Sequence, residues 1–370
     1  MGSCVIDARE HVGCILVSGA PQRAPISQLV GIAAMDQPLI RPTRTVRDYL
    51  SSSLVWSDFL AQGGFAPGDI VVADPFKAGT TWTQRILQQV LDNGEERAVG
   101  LAETSPWLDS SWGDHAHMLA SLQEQRRRGE RRLMKSHLPA DAVPLASQAR
   151  YLFVGRNGKD IGVSFHNYLV HFSPEVMATI NRIHADWSGD PTPLVIPESK
   201  REFFDRWLDT DGYGCCDLFD VVKSWWKLKD EPNVLLVHYA ELKEDLPGQV
   251  ARLARFIGVD PKQLRMERIL EHCSFDYMRT RADKLAPFGG AHMTEPPAFF
   301  QKGPRRDFRT ELTPEQIERF DRRALERLGV ECARWLETGS AEPAGVESSP
   351  DSSDVGAGLR RNAEADARLP

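Results

Sequence analysis

Pro75-Phe76-Lys77-Ala78-Gly79-Thr80-Thr81-Trp82-Thr83-Gln84-Arg85-Ile86-Leu87 is the stretch on which the fold turns. Immediately before it, the apolar, β-branched run Ile70-Val71-Val72-Ala73 follows the turn Ala66-Pro67-Gly68-Asp69 and reads as a buried strand. Immediately after it, Trp82, Ile86, Leu87, Val90 and Leu91 recur at helical spacing until Asn93-Gly94 stops the run. A loop between a strand and a helix faces free backbone N–H groups and the positive end of the helix dipole, a setting that favours an anion. Gly79 allows close backbone approach, Thr80 and Thr81 bring hydroxyls to the helix start, and Lys77 supplies a mobile cation. A plain strand–turn–helix connection with a threonine cap is the bland alternative. A nucleotide kinase would place lysine directly after glycine in G-x-x-x-x-G-K-[ST]; here Lys77 precedes Gly79 by two residues, which argues against an ordinary ATP or GTP site.

The same alternation continues along the chain. Leu133-Met134, Tyr151-Leu152-Phe153-Val154 and Val234-Leu235-Leu236-Val237 read as strands. Helical faces follow at Ile161, Phe165, Tyr168, Leu169 and Phe172, and at Val250, Leu253, Ala254 and Ile257. Thr313-Pro314-Glu315-Gln316 is a capping box with proline at the first helical position, and Gly329 ends that helix. The pattern predicts an α/β fold, a single domain with a central parallel sheet flanked by helices, whose ligands bind at the carboxyl ends of the strands.

Composition bounds the rest. In 370 residues, 41% are apolar, 26% charged and the net charge is −7, enough for a large core and against a general nucleic-acid coat. No apolar run reaches the roughly 18 residues of a membrane span. Of six cysteines, Cys215 and Cys216 are adjacent and none forms CxxC, so neither a disulfide framework, a zinc ribbon nor a thioredoxin site is written. Residues 1–45 read as an N-terminal extension, poorly ordered, with Met35 as an alternative start. Residues 338–370, rich in Gly, Ser, Pro and acid, read as a disordered tail, which leaves 46–337 as the folded domain. Arg126-Arg127-Arg128 and Arg131-Arg132 read as a solvated helix end, His115-Ala116-His117 as loop without metal-site spacing, and Trp225-Trp226 as helix core.

Six ordered segments resemble one family across about residues 50–328. PFKAGTTW, 75–82, resembles the 5′-phosphosulfate loop PKSGTTW of the cytosolic-type sulfotransferases that use 3′-phosphoadenylyl sulfate, with Phe76 in place of proline and Ala78 in place of serine. In the family that serine touches the lysine and restrains idle hydrolysis of the donor, so the change bears on that restraint rather than on binding. RNGKDIGVS, 156–164, is similar to RNPKDVAVS, which implies that Arg156 and Ser164 hold the 3′-phosphate. Arg156 also suits that task by itself, as a planar fork at a strand end. MKSHLP, 134–139, resembles KTHLP, whose histidine is the catalytic base. FFQKGPRRDFR, 299–309, resembles the RKGxxGDWK segment that closes over the nucleotide; Gln301 replaces its arginine, while Lys302 and Gly303 are kept. HYAELKED, 238–245, and HCSFDYM, 272–278, place Tyr239, Cys273, Phe275 and Met278 at the nucleotide, with Phe275 against the adenine opposite Trp82.

The resemblance implies a P-loop-like fold and a metal-free sulfuryl transfer. His137 takes the acceptor proton, Lys77 neutralises the bridging oxygen as the phosphate leaves, and Lys135 stabilises the equatorial sulfuryl oxygens. It also implies a cytoplasmic enzyme acting on a small-molecule acceptor, and it leaves a homodimer open. Acceptor-pocket loops are expected at 104–118, 165–172 and 275–299, where Trp107, Trp112, Phe165, His166, Phe172, Phe288 and Phe299 suggest an apolar, ring-accepting cavity. Two other classes stand beside this reading: a metal-dependent kinase, and a nucleotide-binding protein that has lost turnover.

Overall fold

The computed structural model describes residues 39–215, 217–300 and 308–340. The expected extension as far as residue 38, the tail beyond 340, and Gln301, Lys302 and Gly303 lie outside the described residues. Four apolar runs form a four-stranded sheet: β1 Ile70–Ala73, β2 Leu133–Ser136, β3 Arg150–Gly155 and β4 Val234–His238, in the order β2-β1-β3-β4. Every pair is parallel, with Ala73 opposite both Ser136 and Phe153, and Gly155 opposite His238.

Strand residues sort by period two. Val71, Ala73, Met134, Tyr151 and Phe153 join a core with Phe203, Phe204, Val222, Trp225, Phe320 and Trp335. Ile70, Val72, Leu133, Leu152, Val154 and Val237 join another with Ile86, Leu87, Val90, Val250 and Leu253. Both faces are therefore covered, which explains why the strands read as unbroken apolar runs.

Parallel pairing brings all four carboxyl ends to one edge. The first residue past each strand is Asp74, His137, Arg156 and Tyr239 respectively. β1 lies between β2 and β3, so the chain leaves it toward one side and later returns on the other, which makes its exit loop the switch point where such sheets bind ligands.

Three local readings change. Residues 39–45, counted with the extension, pair with the body: Ile40 and Leu145 exchange backbone hydrogen bonds of 2.8 and 3.0 Å. His115-Ala116-His117 opens a helix, His115–Arg127, because the Asp114 carboxylate accepts the His117 N–H at 3.0 Å and caps it. Arg132 is not solvated; it is fully buried, with Nε donating to Asp69 Oδ1 at 3.0 Å and Nη2 to the Gly64 carbonyl at 2.6 Å. Asp69→Ala strands that guanidinium in the interior, and the expected loss is about 3–5 kcal/mol of unfolding free energy in urea. A loss below about 1 kcal/mol would mean the pair is not a structural tie.

Among the described residues, no helix is long and apolar enough to cross a membrane.

Candidate active site

The exit loop of β1 is bent twice. Lys77 has φ 70 and Gly79 has φ 126, so the chain doubles back before the helix Thr80–Leu91 begins. A Cβ on Gly79 would lie 2.9 Å from Tyr239 Cδ2, so glycine is required both by its backbone angle and by this close approach. Arg156 clamps the loop from β3: its Nη1 donates to the Lys77 carbonyl at 3.0 Å, and its guanidinium lies 4.7 Å from the Tyr239 ring centre. The Arg156 Nε is buried and, among the described residues, has no partner, which leaves a donor beside the loop. Ser164 sits half-buried on the following helix, Gly158–Leu169.

Two ammonium groups share the site, that of Lys135 on a buried residue and that of Lys77 on a half-buried one. Lys77 Nζ lies 4.2 Å from the Tyr168 ring centre and 4.5 Å from that of Phe299; Lys135 Nζ lies 4.7 Å from that of Trp107. Burial, then the charges of Arg156 and Lys135, bring Lys77 down to about 7 against the pull of Asp74. Burial brings Lys135 down to about 8, opposed by Asp74 and Asp109. Among the described residues neither ammonium makes a salt bridge, so a bound anion would be their partner.

His137 follows β2 and is 3% exposed. Its Nδ1 is 3.0 Å from the Asp74 carbonyl oxygen and 2.9 Å from Asp74 Oδ1. The hydrogen bond goes to the carbonyl, and the carboxylate oxygen lies at ion-pair distance off the N–H direction. With two acceptors at Nδ1, the proton belongs there and Nε2 is left unprotonated. Phe76 packs on the imidazole at 4.1 Å, so the residue standing where the family has proline shields the candidate base.

The adenine side is less closed. Trp82 donates from Nε1 to the Cys273 carbonyl at 2.9 Å, which ties the expected platform to the segment carrying Phe275. Phe275 is 37% exposed at the start of the helix Phe275–Thr280. Cys273 and Met278 are buried in apolar clusters, Cys273 with its thiol pushed up to about 12 by burial, so each packs behind the platform. Thr81 is buried beside a cavity of about 230 Å³, whose walls include Trp107, Trp112, Phe288, Met118 and Lys135. Thr80 is engaged within the loop: its N–H and Oγ–H reach Asp74 Oδ2 at 3.1 and 2.5 Å.

Of the aromatics expected around the acceptor, Trp107, Trp112, Phe165, Phe172, Phe288 and Phe299 form one continuous set of ring contacts around His137 and Lys77. His166 does not join it; its Nε2 bonds the Pro197 carbonyl at 2.7 Å, facing away. Sequence reasoning missed Asp74, Asp109, Tyr168 and His292. Asp109 is buried, accepting from Trp107 Nε1 at 2.7 Å and from Ser136 Oγ at 2.5 Å, and burial raises its carboxyl. His292 is buried among Trp112, Tyr168, Phe172 and Phe288, and among the described residues neither ring nitrogen has a partner within hydrogen-bond geometry; burial and the two lysines outweigh the pull of the Pro287 backbone and hold it down at about 3, hence neutral. Asp74 had a signal in its place at a strand end ahead of the glycine loop; His292 had none.

Comparison with known proteins places these features among relatives. The sulfotransferase domain family matches residues 67–330. A glycolipid sulfotransferase of Mycobacterium bovis is 27% identical over 315 residues, covering 79% of this chain and 94% of the relative. Mouse sulfotransferase 1B1 is 28% identical over 266 residues, covering 69% and 81%. Among solved structures, mouse sulfotransferase SULT7A1 complexed with PAP matches with a TM-score of 0.56 at 23% identity, covering 80% of this chain and 97% of that one. Retinol dehydratase in a complex with retinol and PAP matches with a TM-score of 0.58 at 18% identity, covering 75% and 86%.

Proposed function

This chain belongs to the sulfotransferase domain family, and from that premise we propose that it moves a sulfuryl group from 3′-phosphoadenylyl sulfate to a hydroxyl or amine of a small, ring-containing or lipophilic acceptor. The observation that carries the reading is the convergence of Lys77, Lys135, His137 and Arg156 on one sheet edge around a glycine-bent loop. The donor fits the residues present: among the described residues, two ammonium groups without a salt-bridge partner, an Arg156 Nε without a hydrogen bond, and a Gly79 backbone open to close approach. Family resemblance assigns Arg156 and Ser164 to the 3′-phosphate, the loop Lys77–Thr81 to the 5′-phosphosulfate, and Trp82, Tyr239 and Phe275 to the adenine. Cys273 and Met278 support that side from behind.

In-line transfer asks the protein mainly to position groups and to neutralise charge. Lys77 meets the charge growing on the departing phosphate, Lys135 that on the sulfuryl oxygens, and His137 Nε2 accepts the acceptor's proton. The 230 Å³ cavity opens on Lys135 and is walled chiefly by rings, which favours an apolar acceptor body. The glycolipid sulfotransferase relative, matched over 94% of its length, supports the lipophilic end of that range. A mass-spectrometric acceptor screen with the activated-sulfate donor is the test: phenols, sterols and lipid alcohols should gain one sulfuryl group. Binding of 3′-phosphoadenosine 5′-phosphate (PAP) with no sulfated product would instead identify a nucleotide-binding protein.

Proton linkage gives a second check. Lys77 at about 7 and Lys135 at about 8 are largely neutral in the free protein above those values. A bound anion favours their charged forms, so PAP binding should take up protons, and its affinity should weaken as pH rises. Titration between about pH 7.5 and 9 lies above the second phosphate ionisation near 6, so the nucleotide keeps its charge. A dissociation constant that stays flat across that range would contradict the placement of the lysines.

A further inference from the structure

The geometry points to Asp74 as the positioning residue of the His137 base: its carbonyl oxygen fixes which imidazole nitrogen takes the acceptor's proton, and its carboxylate stabilises the imidazolium that results. This inference rests on the proposed sulfuryl transfer for its chemistry, though not for its geometry. Asp74 is the first residue past β1 and His137 the first past β2, and parallel register brings the two side by side. The carboxylate is wholly buried. One oxygen is held by the Thr80 N–H at 3.1 Å and by the Thr80 hydroxyl at 2.5 Å. The other lies 2.9 Å from His137 Nδ1 with no hydrogen bond of its own. A buried carboxylate oxygen left unpaired is costly. A small rotation of the imidazole as it becomes charged brings the N–H onto that oxygen and removes the cost.

The proton step balances simply. The acceptor O–H bond breaks, its proton goes to His137 Nε2, and its oxygen forms the new S–O bond. The electrons of the old S–O bond leave with the phosphate. His137 keeps its Nδ1 proton throughout, and none is passed to Asp74. A carboxylate beside a histidine is worth most when the imidazolium forms in a site closed to water, and Phe76 and Trp107 close this one. Other charged groups face the couple from several elements. Lys135 comes from β2, Lys77 from the exit loop and Asp109 from the 105–110 segment, while His292 contributes a neutral ring. The two ammonium groups disfavour an imidazolium, so an adjacent anion is what allows the base to take a proton there. The same carboxylate caps the helix that begins at Thr80, so the base and the phosphate loop share one anchor.

Asp74→Asn in the full chain removes the charge while leaving an oxygen to accept from Thr80. We expect kcat to fall about 10²–10⁴-fold and the acid limb of the kcat–pH profile to move lower, because the imidazolium loses its neighbouring anion, with the donor KM changed less than about threefold. A residue that only caps the helix would leave the acid limb in place. Nitrogen-15 NMR of the wild-type histidines gives a readout independent of turnover and of any variant's folding: His137 should be protonated at Nδ1 and bare at Nε2. The opposite tautomer, or a wild-type kcat and acid limb in Asp74→Asn, overturns the inference. If no acceptor is sulfated yet the tautomer is as stated, the proposed function fails and the hold of Asp74 on the His137 Nδ1 proton stands.

Discussion

His137→Ala should lower turnover by about 10²–10⁴-fold, the usual contribution of a positioned general base. The loss should fall on kcat, because the imidazole touches the acceptor's proton and not the nucleotide. PAP affinity should therefore stay within about threefold of wild type. The fold should tolerate the change. His137 lies beyond the last residue of β2, and among the described residues its side chain contacts Asp74 and the rings of Phe76 and Trp107. Added imidazole offers a control, since a small base can occupy the space left by the ring and restore part of the rate. Near-normal turnover in His137→Ala would remove the histidine from the mechanism and leave Lys77 and Lys135 as the sole chemistry of the site.

Lys135→Met should cost about 10²–10³-fold in kcat, comparable to loss of one preorganised oxyanion donor. Methionine keeps the length of the side chain and its packing against Trp107 but removes the ammonium. The same variant should be no less stable than wild type. Lys135 is 5% exposed, and among the described residues it has no salt bridge, so burying its charge costs more than it returns in the free protein. Loss of rate with stability kept or raised is the signature of a charge placed for chemistry. A variant that loses stability and keeps its rate would make Lys135 a structural residue.

How much of this was legible in the sequence depends on the range over which each signal acts. Strands and the helix after β1 were readable because each is a local run: Ile70–Ala73 is apolar at four successive positions, and Asn93-Gly94 marks the helix end. Lys77 and Arg156 were readable as candidates from a glycine-bearing loop and a strand end, and His137 from the resemblance of MKSHLP to a family motif. Their meeting was implied only through the parallel sheet. What escaped were pairings between segments far apart in sequence. Arg132 looked like one arginine of a solvated cluster, but Asp69, 63 residues away, takes it into the core. His292 carries no local mark; the rings around it come from three separate stretches. Asp74 sat in plain view in the loop, yet only the register of β1 against β2 shows that its neighbour is His137.

The central claim is that the β1 exit loop, with Lys77, Arg156 and the Gly79 turn, is a berth for an adenosine 3′,5′-bisphosphate nucleotide. Calorimetric titration of the full chain with PAP at pH 7, with magnesium ATP as competitor, tests it most directly. The account predicts saturable binding of one PAP per chain that excess magnesium ATP does not displace. No binding of PAP, or its ready displacement by magnesium ATP, would contradict it.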